Sequence, residues 1–188
     1  MNLKSIFNSV TPIEEEAWID FEQYFSTKTL RKHDALWQAG EICKHLFFIN
    51  KGIIRSFRFI EKKEISTNFF FEDTVFYDDY SFISGLPSAD SYEALEQTEL
   101  IVIPKAAVNQ MFDKYKSFER LGRKMVEQNH AKQIEEQQNS RSLPSKERYL
   151  QLLSTKPDIV NRVPLKFIAS YLNITPEYLS KLRKDIAT

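Results

Sequence analysis

A group of polar side chains near the C-terminus has the types and spacing needed to contact nucleic acid. Residues 175–184 read TPEYLSKLRK. If this segment is helical, Leu179 and Leu182 point inward and the polar residues share the opposite face. Carboxylate and ammonium groups can bond base edges, and hydroxyls can bond phosphate oxygens. The predicted outward set is Thr175, Pro176, Glu177, Ser180, Lys181 and Lys184.

Local signals upstream predict the element that presents this face. Pro164 suits the first turn of a helix that runs to Leu172. Asn173 follows, and asparagine tolerates the left-handed backbone of a tight turn between helices. Thr175 is a good N-cap and Pro176 a good first residue for a second helix. Two short helices around a sharp corner are therefore predicted.

The apolar residues of the two helices have the spacing of a helix-turn-helix motif, with small Ala169 where the helices cross. The predicted inward set is Ile168, Ala169, Leu172, Ile174, Leu179 and Leu182. The alternative is a plain helical hairpin whose charges are simply solvated.

Charge is unevenly distributed along the 188 residues, whose formal net charge is zero. From residue 141 onward there are nine Lys and Arg against four Asp and Glu, a net of +5, so the preceding residues carry −5. Local positive charge, rather than the total, favours phosphate binding through counterion release. This distribution fits a C-terminal region that contacts DNA.

The residues before the motif indicate an α+β chain. Apolar spacing over residues 13–25, after Thr11 and Pro12, predicts an opening helix. Short runs rich in Phe, Ile, Val and Tyr over residues 29–103, broken by turn residues, predict an antiparallel β-roll of the jelly-roll type. Pro104 begins a further helix, and a long helix is predicted over residues 118–139, followed by a linker over residues 140–145.

The long helix carries an apolar stripe that predicts a dimer seam. Phe118, Leu121 and Met125 lie on one helical face, after which the sequence becomes almost wholly polar. A stripe that is not covered locally can pair with a second copy of the chain. The alternative is that it packs on the β-roll.

The combination of β-roll, long helix and terminal motif resembles the Crp/Fnr family of bacterial transcription regulators. Gly40 and Glu41 before a strand, and LFFINKGIIR over residues 46–55, are similar to that family's strand, glycine turn and strand. The resemblance implies a cyclic-nucleotide-binding-like domain, homodimerisation through the long helix, and operator binding by the second helix of the motif. Glu177 and Lys181 occupy positions where members use an acid and an arginine to contact bases. Pro176 replaces an arginine, so base preference should differ.

The resemblance weakens at the ligand site. Members that bind cyclic nucleotides place a Gly-Glu pair at the start of a phosphate cassette and an arginine about ten residues later. Here Tyr77 stands at the glycine, Asp78 at the glutamate, and Ser88 to Asp90 across the arginine region. The segment between Asp73 and Val102 contains no Arg or Lys. We therefore predict a degenerate ligand pocket at Tyr77, Asp78, Ser88 and Asp90 that does not respond to cyclic AMP or cyclic GMP; it is either vestigial or takes another small molecule.

Other classes of function find little support. The three histidines, His33, His45 and His130, are far apart and form no metal-binding pattern, and Cys43 is the sole cysteine. No enzyme, metal or cofactor is predicted. The chain lacks a signal peptide and a membrane span, so a cytoplasmic location is expected. The remaining alternative is an interaction protein whose terminal motif binds another protein.

These predictions divide the chain into three parts. Residues 1–117 form the sensor domain, residues 118–141 the connecting and dimerisation helix, and residues 142–188 the DNA-binding domain. The predicted partners are duplex DNA and a second copy of the chain, with RNA polymerase as a further candidate.

Overall fold

The structure is a computed structural model that describes residues 2–187, the side chains of Ser140, Arg141 and Ala187 excepted. The helices are α1 (Leu3–Val10), α2 (Glu15–Glu22), α3 (Asp79–Ser84), α4 (Lys105–Lys114), α5 (Lys116–Ser142), α6 (Ser145–Thr155), α7 (Ile159–Arg162), α8 (Leu165–Tyr171) and α9 (Pro176–Ala187). The strands are β1 (Ser26–Leu30), β2 (Ala35–Trp37), β3 (His45–Lys51), β4 (Ile54–Ile60), β5 (Lys63–Phe70), β6 (Val75–Phe76), β7 (Ser91–Ala94) and β8 (Thr98–Pro104). This α+β architecture confirms the predicted fold class.

The described chain divides into two compact units. The first contains residues 2–56 and 69–129, and the second contains residues 57–68 together with residues 130–187. Residues 57–68 are the tip of the β4–β5 hairpin, which we call the hairpin tip. The second unit is therefore built from the hairpin tip, the end of α5 and helices α6 to α9.

Two four-stranded sheets form the β-roll, with strand orders β1-β8-β3-β6 and β2-β7-β4-β5. β3 pairs antiparallel with β8 along most of its length, and Leu46 lies opposite Ile103. The turn between β3 and β4 contains Gly52, at a φ of 100°. A Cβ there would lie 2.7 Å from the Gln97 carbonyl oxygen, so this position requires glycine.

The N-terminal helices correct the prediction of a single opening helix over residues 13–25. α2 is shorter, and α1 precedes it, capped by the Asn2 side chain, which accepts a hydrogen bond from the Ser5 N–H at 2.9 Å. Thr11 follows the end of α1 instead of capping α2. The reason is an aromatic cluster that both helices share, in which the rings of Phe7 and Phe21 lie 6.1 Å apart.

The first half of α5 packs into this cluster. Phe118 and Leu121 are each 2% exposed, and the Phe118 ring lies 4.8 Å from that of Phe21. Half-buried Met125 also packs against this core. The prediction that Phe118, Leu121 and Met125 form a dimer seam is corrected: their stripe is covered by their own chain. The alternative of packing on the β-roll side fits the structure.

The second unit has a small apolar core of its own, centred on α8 and α9. Its buried residues include Ile159, Ile168, Ala169, Leu172, Leu179 and Leu182. Five of these belong to the predicted inward set, and the sixth predicted member, Ile174, is half-buried at the corner.

Among the helices of residues 2–187, none combines the length and apolar character needed to cross a bilayer.

Candidate nucleic-acid interface and ligand pocket

The corner between α8 and α9 has the predicted geometry. Asn173 has a φ of 52°, in the left-handed region, and the Ile174 N–H donates to the Ala169 carbonyl at 3.0 Å. The Thr175 hydroxyl oxygen accepts from the Tyr178 N–H at 3.2 Å, which satisfies one free donor of the first turn. α9 therefore starts sharply at Pro176 with Glu177 in its first turn.

The structure brings the predicted contact residues together on one face of α9. All six, Thr175, Pro176, Glu177, Ser180, Lys181 and Lys184, are exposed. On the opposite face Leu179 is fully buried. Tyr178, which is next to Glu177 and was not predicted as a contact residue, is 48% exposed. Spacing alone gave no clear signal for this exposure, because Tyr178 lies four residues before the inward-facing Leu182 and so at the edge of the apolar face.

Three of the four residues predicted for a ligand pocket, Asp78, Ser88 and Asp90, also come together, but they bond one another. The Asp78 carboxylate caps α3 by accepting from the Ser81 N–H at 2.7 Å. It also accepts from the Ser88 hydroxyl at 2.7 Å and from the Tyr92 hydroxyl at 3.3 Å. The Ser88 oxygen in turn accepts from the Asp90 N–H at 3.0 Å. Asp78, Ser88 and Asp90 therefore form a buried hydrogen-bonded network.

Tyr77 stands outside that network. Its ring packs against Phe82 with 4.7 Å between centroids. Burial, followed by the charge of Asp79, raises the pKa of the Tyr77 phenol to about 12, so the ring carries a neutral hydroxyl at physiological pH. Burial and the nearby Asp78 carboxylate likewise raise the pKa of Tyr92.

Aromatic rings fill the space between the two sheets next to Asp78. Trp37 from β2 stacks on Tyr92 from β7 with 3.7 Å between centroids, and on Phe47 from β3 at 5.3 Å. Phe76 from β6 continues the stack at 5.4 Å from Phe47. This stack was not predicted from the sequence, because its four members lie on four strands far apart in the chain.

The buried cation nearest in sequence to this region already has a carboxylate partner. Arg55 on β4 is 1% exposed, and its guanidinium donates to the Glu93 carboxylate at 2.7 and 2.9 Å. A paired guanidinium of this kind is costly to separate, because the carboxylate would stay buried without its partner. Arg55 is thus held by β7 rather than presented to a ligand.

The histidines do not form a metal site in the described part of the chain. His33, His45 and His130 are all exposed. Among residues 2–187, no three His, Cys, Asp or Glu side chains are grouped closely enough to hold a metal ion.

Comparison with known proteins identifies the fold. Residues 27–115 match the family model described as the cyclic nucleotide-binding domain. A sequence search of curated proteins gave no significant match.

Solved structures resemble both parts of the chain. A mutant of CooA from Carboxydothermus hydrogenoformans has a TM-score of 0.69 and 17% identity, covering 100% of this chain and 84% of that one. The catabolite activator protein from Thermus thermophilus has a TM-score of 0.59 and 14% identity, covering 94% and 85%. The sensor domain of the transcriptional regulator DNR from Pseudomonas aeruginosa has a TM-score of 0.58 and 12% identity, covering 72% and 96%. Residues 27–115 therefore resemble a cyclic nucleotide-binding domain, and the chain as a whole has the fold of the catabolite activator protein, as the sequence predicted.

Proposed function

We propose that the protein is a sequence-specific DNA-binding transcription regulator of the Crp/Fnr type, with α9 as the helix that enters the major groove. The single observation that supports this proposal is that α9 has one exposed polar face and one buried apolar face. All six predicted contact residues are exposed, while Leu179 and Leu182 fix the helix to α8. Residues 141–188 carry nine Lys and Arg against four Asp and Glu, and this positive charge suits binding to a phosphate backbone.

Each of the exposed groups has a specific role in this proposal. Glu177 can accept from a cytosine amino group, and Lys181 one turn later can donate to guanine acceptors. Ser180 and Lys184 suit phosphate oxygens, which position the helix without reading sequence. Pro176 offers no side-chain donor at the first position, so it limits base contacts at the end of α9 that enters the groove first.

We further propose that residues 1–117 act as the sensor domain, residues 118–141 as the connecting helix and residues 142–188 as the DNA-binding domain. The protein would act as a homodimer. Because Phe118 and Leu121 are buried in their own chain, we infer a seam further along α5. Val126 and Ile134 are 48% and 43% exposed there, and burying them against a second copy would remove apolar surface from water. RNA polymerase is a further partner that we propose from the resemblance alone.

The sensor domain is proposed not to respond to cyclic AMP or cyclic GMP. Its central carboxylate, Asp78, already accepts three hydrogen bonds from its own chain. The stack around Trp37 and Tyr92 occupies the space between the sheets beside it. Arg55 is paired with Glu93. To bind there, a cyclic phosphate would have to break the hydrogen bonds of Asp78, displace the stacked rings and separate Arg55 from Glu93.

Salt dependence separates DNA binding from the alternative, a terminal motif that binds protein. Fluorescence anisotropy with labelled duplex DNA of mixed sequence would be measured between 50 and 200 mM salt. The logarithm of affinity should fall linearly with the logarithm of salt concentration, with a slope of about −0.9 for each phosphate contacted. Binding that is absent at 50 mM salt, or insensitive to salt, would contradict the proposal.

A further inference from the structure

A cavity of about 320 Å³ lies within the second unit, between the end of α5, helix α6 and helix α8. Its apolar wall is formed by Leu152 and Leu172, which are 5% and 2% exposed. Its polar wall includes Arg148 and Lys156 from α6 and the residue after it, and Tyr171 from the end of α8. The volume suits a small organic molecule.

The charges of this cavity are not balanced among themselves. On its outer side, exposed Lys132 and Glu136 pair one helical turn apart on α5, at 3.9 Å. Exposed Glu135 carries the remaining negative charge of the lining. Half-buried Arg148 and Lys156 together carry two positive charges. The half-buried part of the lining is therefore cationic.

Each of the two half-buried cations donates at least one hydrogen bond to a neutral side chain. The Lys156 ammonium donates to the Asn68 side-chain oxygen at 3.0 Å. The Arg148 guanidinium donates to the Ser145 hydroxyl at 3.3 Å. Its Nε is buried and has no acceptor among the residues that the structure describes. A buried donor of this kind lowers stability unless an acceptor is supplied, and an anion would supply one.

We propose that this cavity binds a small organic anion, with its charge at Arg148 and Lys156 and its apolar body against Leu152 and Leu172. The Tyr171 hydroxyl supplies a further neutral donor in the lining. Such a ligand would be a second-unit effector, distinct from any molecule bound by the β-roll. Binding is measured without DNA, so the outcome is independent of whether α9 binds DNA.

The protonation states of the lining support the same ligand class. Burial is the main cause that lowers the pKa of Lys156 to about 8, assisted by the positive charge of Lys132 and opposed by Glu136. A bound anion would favour the ammonium form and raise that pKa. Burial, with the charge of Glu136, raises the pKa of Tyr171 to about 12, so its hydroxyl keeps its proton. The other charged groups of the lining are Glu135 and Arg148.

A matched pair of fluorescent probes tests the proposal on the full chain. 8-Anilinonaphthalene-1-sulfonate carries an anionic group on an aromatic body, and N-phenyl-1-naphthylamine has the same rings without the sulfonate. The sulfonate probe is expected to bind saturably at one site per chain, at least about tenfold tighter than the neutral probe, since only it can pair with the two cations. Equal affinity for the two probes, or no saturable binding of the sulfonate, would overturn the proposal.

Substitutions locate the site. Lys156→Met and Arg148→Met should each weaken sulfonate binding at least about tenfold, while leaving the neutral probe unchanged. Lys146→Gln removes an exposed cation from the same helix and serves as the matched control, with unchanged affinity expected. Full sulfonate binding in both cavity variants would place the probe elsewhere and overturn the assignment.

A measurement on the wild-type protein tests the role of Lys156 without depending on whether the variants fold. Sulfonate affinity should fall several-fold between pH 7 and pH 9.5, because Lys156 loses its proton there while the sulfonate keeps its charge. The neutral probe should show no such change. A sulfonate affinity that stays constant across this range would overturn the role of Lys156.

Discussion

The Ser170 hydroxyl on α8 bonds the backbone around Ser66 in the hairpin tip. Its oxygen accepts from the Ser66 N–H at 3.1 Å and donates to the Glu64 carbonyl at 3.3 Å. Ser66 is 3% exposed, so this contact is shielded from water. The second unit therefore joins a segment from the middle of the chain to the first helix of the helix-turn-helix motif.

Replacing Ser170 by alanine should destabilise this unit. The change removes two hydrogen bonds at a half-buried position, which together should cost about 1–2 kcal/mol. Urea unfolding followed by circular dichroism would measure the loss. Ser154→Ala is the matched control, because that exposed hydroxyl bonds only to its own helix and its loss should cost little. Equal stability of the two variants would contradict the proposed importance of the hairpin contact.

Asp78 is expected to be a structural carboxylate. Asp78→Ala removes the cap of α3 and leaves the buried Ser88 and Tyr92 hydroxyls without their acceptor. A loss of at least about 2 kcal/mol is expected from these causes together. Asp78→Asn should lie between the wild type and Asp78→Ala, since its amide oxygen can still accept from Ser81. Thermal unfolding would measure the order, and an alanine variant as stable as the wild type would contradict it.

Cyclic nucleotides should not bind the sensor domain. Calorimetry of the full chain with cyclic AMP and with cyclic GMP, at millimolar concentration, is expected to give no saturable heat. The charge of the phosphate would have to leave water without a free guanidinium, since Arg55 is held by Glu93. Saturable binding tighter than about 10 μM, or roughly −7 kcal/mol, would contradict this account of the pocket.

Local signals made the helix-turn-helix motif predictable. Asn173, Thr175 and Pro176 each specify one feature of the corner, and all three features occur in the structure. Contacts between distant segments were not predictable in this way. Phe118 looked available for a partner because its neighbour, Phe21, lies almost a hundred residues earlier. Lys156 likewise gave no sign of burial, because its surroundings come from three helices and the hairpin tip.

Dimerisation is expected to depend on the second half of α5. Ile134→Asp should convert a dimer into a 22.2-kDa monomer without unfolding it, because the side chain is exposed within its own chain. Sedimentation velocity at micromolar concentration would show the change. Leu150→Asp is the matched control, since Leu150 is 41% exposed on α6 and its replacement should leave the dimer intact. A wild-type monomer, or a dimer in Ile134→Asp, would contradict this seam.

Selection of bound sequences from random duplex DNA tests the central claim most directly. The full-length protein should enrich an inverted repeat whose half-site centres lie roughly 34–36 Å apart. Lys181→Ala should relax the preference at one base position in each half-site and weaken binding by about 1–3 kcal/mol, because it removes a base contact. Lys146→Gln, a change on α6 rather than α9, should select the same sequence as the wild type. No enriched sequence, or an unchanged preference in Lys181→Ala, would contradict the account of α9 as the recognition helix.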